Sequence, residues 1–470
     1  MNDYGRITPE VLEELQAVVG QAPVLTGPES LEPYSHDETE DLHFLPSAVV
    51  RPSTREEVSA VMKVCHRHRI PVTPRGAGTG LSGGALPVYG GVVLSLERMN
   101  RILEIDERNL QVTTQPGVIT EVLQNAVQEK GLFYPPDPAS RGSCFIGGNI
   151  AENSGGPKAL KYGVVKDYVL NLEVVLPDGQ VIWTGASVLK NATGYNLTQL
   201  MVGSEGTLGI VTQIVLRLIP LPRHDIALLV PFPSAEKACE AVSAVFRAGI
   251  VPSAMEFMEK DALQWAADFA GDDSLPLGPG IEAHLLIELD GNDPERLMNE
   301  CEQVAGVLEG FQPGEILMAE SAAQKEKLWK LRRIVAEAVK ARSVYKEEDT
   351  VVPRAELPAL LNGVKEIGRN YGFRSVCYGH AGDGNLHVNI LKEDISDEKW
   401  RNTLPEAITE IFRLVRSLGG TLSGEHGIGW VQKQWMPLAF DPPALELMKG
   451  IKRVFDPLNI LNPGKIFPSE

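Results

Sequence analysis

The chain has 470 residues, 43% hydrophobic and 23% charged, a composition that sets it among soluble globular proteins of two or three domains with room for a large buried cofactor. Its 44 basic and 62 acidic residues leave a formal charge of -18, which opposes binding to a phosphate polymer and excludes nucleic acid from the expected partners. No apolar stretch approaches the roughly 18 residues a membrane span needs, and Cys65, Cys144, Cys239, Cys301 and Cys377 are scattered singly, indicating neither disulfides nor a protein-bound iron–sulfur cluster.

The opening Met-Asn-Asp-Tyr-Gly-Arg runs straight into a helical pattern with no basic region followed by an apolar one, so cytoplasm is the expected location. Thr8 as N-cap, Pro9 at the first turn, the stripe Val11, Leu12, Leu15, Val18, Val19 and the stop Gly20 predict a helix near 8–19. A capping box from Ser53 to Glu56 predicts a second helix, with Val58, Val61, Met62 and Cys65 on one face, feeding an extended segment Ile70–Pro74. Residues 91–116 read as strands and Thr120–Lys130 as an amphipathic helix stopped by Gly131. From about residue 224 the texture changes to strand–helix alternation, which predicts a domain boundary; a long helix near 320–342 follows.

Residues 74–85, PRGAGTGLSGGA, contain GxGxxG as Gly78, Gly80 and Gly83. A Rossmann fingerprint must open a helix, whereas Gly84, Pro87, Gly90 and Gly91 follow here and a strand comes next. With no lysine where a Walker loop needs one, the stretch reads as a nest of backbone N–H groups with Arg75 at its head, suited to a pyrophosphate. Residues 134–163 form a second irregular, glycine-dense stretch, long enough to be wrapping a ligand. Residues 202–218 form a third, with Gly203, Gly206 and Gly209 ahead of an apolar strand.

In this order the three stretches resemble the FAD-binding domain of the superfamily that includes vanillyl-alcohol oxidase and para-cresol methylhydroxylase, and the resemblance runs over essentially the whole chain. It implies an α+β fold: a two-part FAD-binding domain of the vanillyl-alcohol-oxidase type (1–223), an inserted α+β ferredoxin-like cap or substrate domain (224–430), and a C-terminal segment (431–470) returning to the FAD domain. It also implies an FAD shell. From the first loop this comprises Arg75, Gly76, Ala77, Gly78, Thr79, Gly80, Ser82, Gly83 and Gly84, at the pyrophosphate. From the second come Pro136, Asp137, Ser140, Gly142, Ser143, Gly147, Gly148, Asn149, Asn153 and Gly156, along the ring system and ribityl chain. The third gives Glu205, Gly206, Gly209, Ile210 and Val211 on the adenine side, and FDPLNILNPGKIF adds Asn462 near the flavin. Neither His36 nor His43 lies in a recognisable attachment motif, so the expected FAD is non-covalent.

VCYGHAGDGNLHVNI, residues 376–390, reads as strand, turn and strand. On the return strand His387 and Asn389 share one face while Leu386, Val388 and Ile390 share the other, so His380 and His387 converge on one point. SGEHGIG, residues 423–429, offers a third donor, Glu425, with His426 beside it. Two imidazoles and a carboxylate suit Zn(II), and Fe(II) or Mn(II) accept the same donors. The alternative is that these residues decorate a solvated sheet face and a turn.

GHAGDGNLHVN and SGEHGIG are also similar to the motifs of the D-lactate dehydrogenase, glycolate oxidase flavin-subunit and D-2-hydroxyglutarate dehydrogenase branch. That resemblance implies His380, His387 and Glu425 as metal ligands, His426 as general base, and oxidation of a small D-2-hydroxy acid, D-lactate or glycolate, with hydride transfer to flavin N5. Asn389 is counted with the catalytic set. Arg332 falls at the edge of a buried helical stripe, where it either snorkels or faces a pocket, and the likeness of LWKLRR to the substrate-arginine segment implies carboxylate binding. Lys346 is a weaker catalytic candidate because its spacing to Pro353 departs from the hydroxyglutarate enzyme's pattern. D-2-hydroxyglutarate dehydrogenase, a non-catalytic flavin subunit of a glycolate oxidase complex and a flavin-free metal hydrolase are the competing readings. The expected partners are the substrate and an external acceptor: a quinone, an electron-transfer flavoprotein, a cytochrome or an iron–sulfur subunit, placing the protein peripherally at the inner membrane face. A homodimer is an open option.

Overall fold

The computed structural model describes residues 4–272 and 277–468, which divide into two compact units. The first comprises residues 1–154, 164–221 and 425–470, and the second residues 155–163 and 222–424. Residues 425–430, placed with the cap by sequence, thus belong to the first unit, and 155–163 belong to the second.

The first unit holds two main sheets among the described residues, beside a two-stranded antiparallel pairing of Leu132–Phe133 with Ile219–Pro220. Ala48–Val50, Val92–Ser95 and Val72–Arg75 form a parallel sheet in that spatial order. Its strands are short, apolar and buried, and the helices Pro9–Val19 and Arg55–His68 share a core with them. Thr8 caps the first of these helices by accepting from Val11 N, as expected. The second starts one residue later than expected. Two overlapping boxes are available, and Thr54 rather than Ser53 is the N-cap, accepting from Glu57 N at 3.2 Å while Glu57 reaches back to Ser53 N at 2.6 Å. The other sheet is antiparallel, in the order Ile102–Asp106, Gln111–Thr114, Ile210–Arg217, Val169–Val175, Val181–Trp183.

The glycine-dense stretch 134–163 is less irregular than its composition suggests, because it contains the helix Ile146–Glu152. Gly147 and Gly148 read as breakers, but they sit in the first turn. There the N–H groups of Ile146 and Gly147 donate to the carbonyls of Val118 and Pro116 at 2.9 and 2.8 Å, satisfying amides a helix start leaves open. A side chain at Gly147 would meet Pro116 Cβ at 2.6 Å, so glycine is what permits the approach.

The second unit is built on one seven-stranded antiparallel sheet in the order Leu317–Ala319, His224–Phe232, Ala283–Gly291, Ala254–Glu259, Arg374–Gly379, Asn385–Leu391, Tyr345–Val351. The expected long helix near 320–342 is two helices, Ala322–Arg333 and Val335–Arg342, broken at Ile334. Leu328, Trp329, Leu331, Val335 and Val339 from this pair pack with Ala254, Met258, Leu286, Val376 and Tyr378 of the sheet. The segment 155–163 is tied to this unit by Lys158 on Glu288 and by Lys161 and Tyr162 on Asp290.

Candidate functional site

A cavity of about 250 Å³ in the first unit is lined by all three glycine-rich stretches. Of the expected FAD shell, Arg75 through Gly80, Gly84, Ser140, Gly147, Gly148, Asn149, Glu205, Gly206, Gly209, Ile210 and Val211 line it. Ser82, Gly83, Pro136, Asp137, Gly142, Ser143, Asn153, Gly156 and Asn462 are not among its lining residues. Several of these hold the lining in place instead. Asn462 Nδ2 donates to Gly84 O and Glu205 O at 3.0 and 2.8 Å, Asp137 pairs with Arg141, and Gly83 N donates to Thr39 Oγ1. Apolar wall residues such as Pro116, Phe145 and Met201 escaped sequence reasoning, since nothing separates them from ordinary core residues.

The chemistry of the cavity suits a dinucleotide flavin. Arg75 is buried, its Nη2 donates to His36 O at 2.8 Å, and its Nη1 has no hydrogen-bond partner among the described residues. A buried guanidinium with one unpartnered nitrogen at the head of a glycine loop fits a pyrophosphate. Gly78, at φ 76°, leaves no space for a Cβ, which would collide with the Arg75 guanidinium. His36 and His43 do not line the cavity.

Glu425 and His426 line this same cavity. Their loop is fixed from below by Glu205, whose carboxylate accepts from Ile428 N at 2.8 Å and Gly429 N at 2.7 Å. Glu205 itself sits at φ 50°, a strained conformation for a side-chain-bearing residue, held by its N–H on Ala151 O and by Asn462. It therefore acts on the His426 loop as well as lining the cavity. Burial, and then the charge of Glu205, push the neighbouring Glu152 carboxyl well above its usual range.

In the second unit, His380, His387 and Asn389 are brought together on one sheet face and are all buried, so the reading of a solvated face fails. The His380 and His387 ring centroids are 5.4 Å apart, with planes at 82°. His380 Nδ1 lies 2.8 and 2.9 Å from the two oxygens of Glu256, a carboxylate with no solvent exposure. Burial works against the charged Glu256, but His380 and Arg332 outweigh it and hold its carboxyl below the usual range. His387 Nδ1 lies 3.2 Å from Glu347 and 3.8 Å from Asp349. Each imidazole thus has a carboxylate near its Nδ1, and for His380 the contact is a hydrogen bond of the kind that fixes the tautomer of metal-ligating histidines. Asp349 also accepts from Ser423 Oγ and Gly424 N at 2.9 and 2.8 Å, anchoring the residue that precedes Glu425. Glu256 had no sequence signal; only the pairing of its strand with Arg374–Gly379 brings it to His380.

Arg332 does not snorkel. It is buried, its Nη2 lies 2.7 Å from Glu256, its guanidinium carbon is 5.2 Å from the Tyr378 ring centroid, and its Nε lacks a hydrogen-bond partner among the described residues. Lys346 is not brought to the face of the histidines. It pairs with Ile390, whereas Glu347 pairs with Asn389 and Asp349 with His387, so the pleat points Lys346 to the opposite face and Glu347 to the face of the histidines.

Residues 46–185 match a family model described as FAD binding domain, and residues 221–466 one described as FAD linked oxidases, C-terminal domain. The chain is 40% identical over 477 residues to the glycolate oxidase subunit GlcD of Bacillus subtilis, covering 99% of this chain and 98% of that one. It is 39% identical over 468 residues to a D-lactate dehydrogenase of Anaerostipes hadrus, covering 98% of each. To a D-2-hydroxyglutarate dehydrogenase of Stutzerimonas stutzeri it is 36% identical, covering 98% of this chain and 99% of that one. Among solved structures p-cresol methylhydroxylase superposes with a TM-score of 0.81 at 20% identity, over 97% of this chain and 96% of the other, a likeness of fold. No helix among the described residues is long and apolar enough to cross a membrane. With flavin-cradling loops in one unit, an imidazole–carboxylate face in the other and full-length relatives at this identity, the chain belongs to the FAD-linked oxidases and is a flavin-dependent oxidoreductase.

Proposed function

We propose that the chain oxidises a small D-2-hydroxy acid, D-lactate or glycolate, to the 2-oxo acid. The observation that carries this reading is the buried His380–Glu256 and His387–Glu347 pairing on one sheet face, beside a buried arginine with an unused Nε. The relatives named for glycolate, D-lactate and D-2-hydroxyglutarate support the same substrate class. FAD, bound non-covalently in the glycine-lined cavity, supplies the acceptor for the C2 hydride. A divalent cation, zinc first and iron or manganese as alternatives, held by His380, His387 and Glu425, would supply Lewis acidity towards the substrate oxygens.

The chain's own side chains then have these roles. Glu256 holds the His380 ring by its Nδ1 edge, which sets the orientation in which the ring would ligate. Arg332 binds the substrate carboxylate through its guanidinium, and Asn389, fully buried with neither amide atom in a well-formed hydrogen bond among the described residues, orients it further. His426 removes the hydroxyl proton as the general base, on a loop that Glu205 keeps rigid. The roles of Glu425 and His426 rest on their SGEHGIG motif and on their position in the lining of the flavin cavity. The reduced protein passes its electrons to an external quinone, electron-transfer flavoprotein, cytochrome or iron–sulfur subunit, and we place it in the cytoplasm, at the inner membrane face when its partner is there.

The test is dye-linked turnover of D-lactate and glycolate before and after exhaustive chelation. We expect activity to vanish on chelation and return with added zinc, manganese or iron while the flavin stays bound. Undiminished turnover in metal-free protein would overturn the metal role, and inactivity of the metal-replete protein on every 2-hydroxy acid would overturn the function.

A further inference from the structure

We infer that Glu347 is a specificity-determining residue that rejects substrates carrying a second carboxylate, so that the site accepts 2-hydroxy monocarboxylates with an uncharged remainder. The inference rests on the function proposed above and narrows its substrate class.

The register places Glu347 opposite Asn389, on the face that also carries His387 and Tyr378. Its side chain is only 10% exposed and its carboxylate stands 3.2 Å from His387. It belongs to the same sheet face as Asp349 and Glu256, both buried. Among the described residues, cations on this face stand against acids. Arg332 stands against Glu256, Arg374 at the far end of its strand is tied to Asp261 and Glu393, and Lys158 is tied to Glu288. Lys346, the nearest lysine in sequence, projects from the other side of the sheet. One substrate carboxylate has a partner in the Nε edge of Arg332. The proposed cation on His380 and His387 is engaged by the hydroxyl and first carboxylate of the substrate, so a second carboxylate would enter a poorly solvated region beside the carboxylates of Glu347 and Asp349, and like charges at short range in such surroundings repel strongly. The neutral Tyr378, whose ring centroid lies 5.4 Å from that of His387, suits a short apolar or hydroxylic remainder instead.

The experiment compares kcat/KM for D-lactate with that for D-malate and D-2-hydroxyglutarate in the holoenzyme and in Glu347→Gln and Glu347→Lys. Binding of the product analogues pyruvate and 2-oxoglutarate, followed by flavin absorbance perturbation, accompanies it. The wild type should favour the monocarboxylate. The preference should shrink by about tenfold in Glu347→Gln and by about a hundredfold in Glu347→Lys, through KM and with a parallel gain in 2-oxoglutarate affinity. A dicarboxylate turned over by the wild type as efficiently as lactate would overturn the inference. So would variants that fold, bind FAD and keep the wild-type ratio, with the conservative glutamine variant guarding against loss of fold in the lysine one. Those results leave the proposed function standing, whereas a wild type silent towards every 2-hydroxy acid removes the function and the inference together.

Discussion

The flavin cavity and the histidine face solve the problem of holding a polar ligand in opposite ways. The cavity is made largely by backbone: glycines from three stretches bring main-chain groups close, and a buried arginine supplies positive charge. The histidine face is made by side chains from strands, a turn and one helix, where Glu256, Arg332, His380, His387 and Asn389 are all buried and Glu256 stands against both Arg332 and His380. The first arrangement is sensitive to added volume and tolerant of many side-chain identities. The second tolerates little change of charge, because each removal leaves a buried partner uncompensated.

The sharpest separation of binding from chemistry comes from the side chain at the cavity wall. His426→Ala should retain the flavin spectrum and lose turnover by roughly 10²–10⁴-fold, the usual contribution of a general base. A variant with normal turnover would remove the base from His426. Gly78→Val should do the reverse. Its Cβ collides with the Arg75 guanidinium at a positive φ, so FAD affinity should fall by about a hundredfold and the purified protein should be largely colourless.

Glu205 joins the two behaviours, since it lines the cavity and fixes the loop that carries His426. Glu205→Ala should lower kcat by roughly tenfold at nearly unchanged KM, with Glu205→Gln restoring little, because an amide offers one acceptor where two N–H groups need two. A flattened pH–rate profile in this variant would mark a disturbed base, whereas loss of stability alone would mark a purely structural role.

The smallest effect is expected outside both sites. Burial opposes ionisation of Glu288, but Lys158, Ser253 and Trp329 overcome it and hold its carboxyl below the usual range. A depressed folded pKa contributes stability that is full above about pH 4.3 and is lost as pH falls through the folded value. Glu288→Gln should therefore cost about 2 kcal/mol near neutrality and flatten the acid limb of the stability curve, as chemical denaturation at several pH values would read.

The same contrast explains what could be read from sequence. Glycine density, a missing helix after GxGxxG and the two histidine motifs announce themselves locally, so the cavity and the histidine pair were legible as residue types at fixed spacings. Strand parity was harder: Lys346 drew attention as a cation, yet one step of the pleat turns it away and brings Glu347 inward. Glu256 comes to His380 through the pairing of strands more than a hundred residues apart, which no local pattern encodes. The helix Ile146–Glu152 was hidden because two glycines stand in its first turn, one of which, Gly147, is required by the close approach of Pro116 and not by helix propensity. The passage of 155–163 into the second unit likewise depends on Lys158, Lys161 and Tyr162 finding acids far along the chain.

The central claim, that this flavoprotein takes a hydride from a 2-hydroxy acid, is tested most directly by mixing the oxidised holoenzyme anaerobically with D- and L-forms of lactate and related acids and with glycolate. The account predicts that the visible flavin band bleaches with D-lactate or glycolate and persists with L-lactate, while D-2-hydroxyglutarate bleaches it far more slowly. A flavin that stays oxidised with all of them, in protein replete with metal, would contradict it.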